Sequence, residues 1–137
     1  MVNCISRILF MLLLVGCKPV EIGVIEKNIK YSGQEGIKPS VSYSCKIQVN
    51  NSIVFKEVKF KNHTKELGFY FFELPNGLLI NGDQELTKGA YSIQIGTALD
   101  KQLEKSNDTL IFVITNKNKK EIVIEKKVQF SKKTYMK

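Results

Sequence analysis

Val41, Tyr43, Cys45, Ile47 and Val49 alternate with Ser42, Ser44, Lys46, Gln48 and Asn50. A strict period of two sends one row of side chains into a core and the other into water, the mark of a half-buried antiparallel strand. Cys45 falls on the apolar row. Similar but shorter runs follow along the chain. Residues 22–29 read as a first strand, broken by Gly33-Gln34-Glu35-Gly36. Asn50-Asn51-Ser52 turns into residues 53–60, where the alternation slips and predicts a bulge near Phe55. Residues 67–74 are apolar on both faces and read as a central strand, ended by Pro75-Asn76-Gly77. A short strand over 78–80 and a turn at Asn81-Gly82-Asp83 lead to the strand that contains Tyr91, Ile93 and Ile95.

Residues 97–108 alone have helical character. Leu99 and Leu103 lie four apart, Thr97 is the expected cap, and Asp100 sits three residues later. Residues 109–115 and 121–130 predict a last hairpin around Asn116-Lys117-Asn118-Lys119-Lys120. On its second strand Ile122, Ile124, Val128 and Phe130 share a face with Lys126, and an inward lysine is one way to blunt an exposed sheet edge. Seven or eight short strands at this spacing predict an all-β, two-sheet antiparallel β-sandwich, with a small barrel as the alternative. The stretch Leu86-x-x-Gly89-x-Tyr91 resembles the corner of immunoglobulin-like Greek-key sandwiches, in which a tyrosine closes the turn. That resemblance spans about ten residues and implies architecture only.

The first seventeen residues follow another logic. An apolar run of eight, Ile8 to Val15, follows a region whose one charge is Arg7, and stops at Gly16 directly before Cys17. A bilayer-spanning helix needs roughly 20 apolar residues, so the run has the length of a cleaved leader core. Leu14-Val15-Gly16-Cys17 resembles the lipobox of bacterial lipoproteins. The resemblance implies cleavage between Gly16 and Cys17 and acylation of Cys17, with the bilayer as partner. Lys18 after the cysteine, where retained family members have aspartate, implies the outer membrane facing the periplasm, with a Gram-positive surface as the alternative. The expected organisation is a leader over 1–16, a short tether over 17–21, a sandwich over 22–130 and a basic tail over 131–137.

Charge and cysteine content sharpen this picture. Without the leader, twenty lysines face thirteen acids, and from Lys117 to Lys137 eight lysines face two glutamates. A nucleic-acid partner is not expected of an exported chain whose one arginine leaves with the leader, because arginine is the better reader of phosphates and bases. Lys117, Lys119, Lys120, Lys132 and Lys133 are instead candidate contacts to anionic headgroups or an acidic protein. The lipobox resemblance implies that Cys4 is lost with the leader and Cys17 is acylated, which would leave Cys45 as a single thiol without an internal disulfide.

Catalytic signatures are missing from the sequence. One histidine, His63, lies in the polar stretch Asn62-His63-Thr64-Lys65 and reads as part of a solvated loop. No metal-ligand spacing, nucleophile elbow or glycine-rich phosphate loop is present, so neither a metal nor a cofactor is expected. Asn81, Asp83 and Glu85 read as a polar turn. In Phe69-Tyr70-Phe71-Phe72 consecutive rings point to opposite faces. If Phe69 and Phe71 enter the core, Tyr70 and Phe72 are outward candidates for a partner contact. The expected function is a membrane-anchored, non-catalytic protein-binding module, an envelope accessory or adaptor. The alternatives are an immunity lipoprotein that neutralises a toxin or phage component, and a cell-wall-binding or carbohydrate-binding module or hydrolase.

Overall fold

The alternating run becomes β3 (Ser40–Val49), the middle of the larger of two sheets in a computed structural model that describes residues 18–105 and 107–136. Before it come β1 (Val20–Ile22) and β2 (Glu26–Ser32); after it come β4 (Ile53–Phe60), β5 (Gly68–Glu73), β6 (Leu78–Asn81) and β7 (Gly89–Ala98). A single helical turn, α1 (Lys101–Lys105), leads to β8 (Thr109–Asn116), β9 (Glu121–Lys127) and β10 (Phe130–Met136). The large sheet has the order β10-β2-β3-β7-β5-β6, with β1 also paired to β3; β4, β8 and β9 form the second sheet. The all-β sandwich follows, with ten strands among the described residues rather than seven or eight.

Between the sheets lie Tyr43, Phe55, Phe71, Phe112, Ile93 and Ile95, all fully buried. Phe55 sits at the centre, 5.1 Å from Phe71 across the sheets and 6.2 Å from Phe112 on its own. Each such side chain contributes about 1.5–3 kcal/mol relative to exposure. The buried residues of the described core run from Val20 to Ile114. The bulge lies between Phe55 and Glu57, as the broken alternation predicts. Tyr91 donates its hydroxyl to the Thr87 carbonyl at 2.7 Å, four residues upstream, and closes its corner.

Three expectations are corrected. The first strand is two strands: Ile22 pairs with Ile47 but Glu26 with Ser44, so one extra residue bulges out after Gly23. Gly23 bonds the Lys46 carbonyl at 2.8 Å, and a Cβ there would meet that oxygen at 2.9 Å. Pairing therefore begins at Val20, inside the expected tether. The last predicted strand breaks after Lys127: Phe130 leaves the β9 face, crosses to the other sheet and is 62% exposed. Residues 131–136 are not a tail but most of β10, parallel to β2 from Phe130↔Glu26 to Met136↔Ser32. Backbone pairing, a Tyr31–Tyr135 stack at 5.0 Å and a Lys132–Glu26 ion pair at 3.0 Å hold what composition alone reads as solvated charge.

Asp100, not Thr97, caps the helix. Thr97 still belongs to β7, whereas the Asp100 carboxylate accepts the Leu103 amide at 2.8 Å.

Candidate functional site

The register gives the sandwich two distinct ends. One carries the C-terminus of β3, where Val49 pairs with Gly89 and Val20. Here Lys18 and Pro19 are fixed onto the β3–β4 turn. The Pro19 carbonyl accepts the Asn50 amide at 2.8 Å, and the Lys18 carbonyl accepts the Asn50 side chain at 2.9 Å. Beside it is the β8–β9 turn. The Asn116 carboxamide oxygen accepts the amides of Asn118 and Lys120, both at 3.0 Å, and Lys119 adopts a left-handed φ of 59°. This tight turn is held by its own backbone and one asparagine, so Lys117, Lys119 and Lys120 are left exposed. A shallow groove of about 290 Å³ runs between Pro19, Ser52, Asn116, Lys117 and Ile122. Lys132 and Lys133 are also exposed, but on β10 toward the other end. The five candidate lysines therefore do not form one patch.

Tyr70 and Phe72 point outward from β5, while Phe71 is fully buried and Phe69 packs against the core. Tyr70 is 44% exposed, Phe72 is half-buried, and their rings meet edge to face at 5.4 Å. Leu79, opposite Phe72 on β6, extends the patch. Gly16 and Cys17 lie outside the described residues.

The opposite end holds an arrangement the sequence reading missed. His63 is only 16% exposed and packs edge to face on Phe60, so it is not in a solvated loop. Its Nδ1 accepts the Lys65 amide at 3.0 Å, which leaves Nε2 as the protonated nitrogen, 3.3 Å from the Asp100 carboxylate. Lys65 reaches the same carboxylate at 3.6 Å and the Ala98 carbonyl at 2.7 Å. The Leu103 amide, followed by the Lys65 ammonium, holds Asp100 below the usual carboxylate range. Both histidine nitrogens are engaged, so the cluster ties the 61–67 segment to α1 and leaves no free base. The groove beside it, about 480 Å³, is lined by Lys56, Lys59, Phe60, His63, Lys65 and Phe69 among others.

Beneath this cluster Lys27 and Asp108 form a buried ion pair at 2.7 Å. Asp108 also accepts the Tyr43 hydroxyl at 2.6 Å, and Lys27 caps the Leu103 carbonyl of α1. Burial, then the bond to Asp108, pushes the Tyr43 phenol far up. A signal for Lys27 existed: it shares the inward parity of Ile25 and Ile29. His63 and Asp100, thirty-seven residues apart, left none. Cys45 is buried, and burial pushes its thiol up to about 12. Among the described residues, no three His, Cys, Asp or Glu side chains gather where they could hold a metal ion.

The sequence matches no protein-family model and no curated protein. Among solved structures, the fold has a distant likeness to the apo PCuAC domain from PmoF1, at 15% identity and a TM-score of 0.40, over 82% of this chain and 95% of that one.

Proposed function

We propose that this protein is an exported, lipid-anchored binding module that acts without catalysis. In this reading residues 1–16 are removed and acylated Cys17 holds the sandwich on the periplasmic face of the outer membrane. The protein then holds a partner protein there as an envelope accessory. The observation that carries the reading is the fixing of Lys18 and Pro19 onto the β3–β4 turn. It leaves Cys17 next to a rigid point of the fold, so an acyl anchor would hold the whole domain in one orientation. A single chain holds a protein only reversibly, whereas two or more hold it stably. Tyr70, Phe72 and Leu79 are the partner contact in this reading, because exposed apolar side chains on a rigid strand carry little ordering cost. The engaged ring of His63 and the buried thiol of Cys45 favour binding over chemistry.

Fractionation of cells that express the full chain tests the anchor. The wild type should sit in the membrane fraction at the mature mass plus its acyl chains, and Cys17→Ala should yield an unprocessed or soluble form. Membrane association of Cys17→Ala at the mature mass would overturn it. Crosslinked capture from native envelopes should recover one stoichiometric protein, lost in Tyr70→Ala/Phe72→Ala. A captured toxin or phage protein would establish the immunity role, and recovery of cell-wall material alone would refute the adaptor.

A further inference from the structure

We infer that the end of the sandwich nearest Cys17 is itself a membrane-contact surface, which rests against anionic lipid headgroups through Lys18, Lys117, Lys119 and Lys120 with Leu78 at its border. The choice of a lipid surface rests on the anchor reading above; the surface rests on the fold.

Charge is the first ground. The turns at this end (residues 18–19, 50–52, 74–77, 82–88 and 117–120) contain five lysines against Asp83 and Glu85. The turns at the other end (residues 33–39, 61–67 and 99–108) contain five lysines and five acids. The positive excess of the loops is therefore concentrated beside the anchor. Lys117, Lys119 and Lys120 lie in a turn whose backbone bonds close on Asn116, so no ion pair within the turn neutralises them.

Reach is the second ground. Two residue steps from Cys17 to Pro19 span at most about 7 Å. The headgroup layer on each side of the hydrocarbon is about 5–7 Å deep. A Cys17 held at the interface thus keeps Pro19, and the lysine turn beside it, within the headgroups or one screening length of about 8 Å. Lysine stems can lie along the boundary while their ammonium groups meet phosphate.

The third ground is apolar exposure. Leu78 is 62% exposed and follows the Leu74–Gly77 turn at the same end, since Glu73 pairs with both Leu78 and Tyr91, and Tyr91 with Ile47 near the end of β3. The edge strand gives it no cover, and an interface accepts such a side chain where water does not.

The test uses the unacylated chain from Lys18, which contains all the described strands and the core they enclose, in flotation with vesicles of phosphatidylglycerol and phosphatidylethanolamine. Binding should appear at low salt, vanish with pure phosphatidylcholine, and weaken by roughly fivefold per lysine neutralised among 117, 119 and 120. Leu78→Ser should weaken it further. Lys132→Gln/Lys133→Gln, a lysine pair toward the far end, should leave it unchanged. No binding to the anionic vesicles, or equal losses from the two lysine sets, would overturn the inference. Because no acyl chain is present, that failure is separate from failure of the anchor, which the mass and fractionation of the native chain decide.

Discussion

Lys27 and Cys45 both lie on inward rows of the large sheet, and their neighbours give them opposite chemistry. Lys27 is charged and compensated by Asp108 and the Leu103 carbonyl. Removing one member of such a pair strands the other without solvent, which costs about 3–5 kcal/mol. Lys27→Met should therefore lower the urea midpoint strongly. Adding Asp108→Asn should recover part of the loss, since the amide removes the stranded charge and still accepts from Tyr43. At Cys45 burial outweighs the opposing charge of Lys126 and favours the neutral thiol. It should resist alkylation at pH 8 in the folded protein and react fully in denaturant. The sign with pH follows. The folded protein holds Cys45 near 12 against an ordinary value of 9.0, and Tyr43 is also raised. Their contribution to stability is complete below pH 9 and lost as pH rises toward 12. Thermal unfolding across that range should show a falling Tm, with Tyr43 ionising only as the fold opens.

At the scale of elements, the edges determine how the sandwich behaves. Lys126 reaches from β9 to the Ile22 carbonyl of β1 at 2.9 Å, bridging the two sheets where they part. Its inward position on β9 was legible from the alternation; the bond across to β1 was not, because the sequence does not show which strand lies opposite. β10 covers the edge of β2 with a parallel pairing. Parallel neighbours come from distant parts of a chain, and here about 100 residues separate the partners, so no local pattern announces them. Truncation after Gln129 should bare the β2 edge, and size-exclusion chromatography should then show self-association. A monomer of unchanged Tm would show that β10 contributes nothing to the edge.

For the molecule as a whole, the consequence is polarity. One end gathers Lys18 and Pro19, a lysine turn and an exposed leucine; the other gathers a histidine–aspartate–lysine cluster over a buried ion pair. Lys117, Lys119 and Lys120 were visible as a basic turn, and Lys132 and Lys133 as part of the same basic run. Only the crossing at Phe130 separates the two sets in space, because it sends the last strand to the other sheet. The full-chain fractionation and the vesicle experiment bear on this polarity from its two sides, acyl chain and headgroup.

The sequence by itself determined the all-β class, the bulge after Phe55, the closed tyrosine corner, the burial of Cys45 and the outward turn of Tyr70. All of these depend on parity along one strand or on a turn of a few residues, and such short-range geometry is written into neighbouring side chains. Tertiary structure alone decided the order of the strands, the β10–β2 pair, the Lys27–Asp108 contact and the bond between His63 and Asp100. Those features join residues 37 to 106 positions apart. Their energies come from desolvation and pairing between strands, which no window of the chain contains.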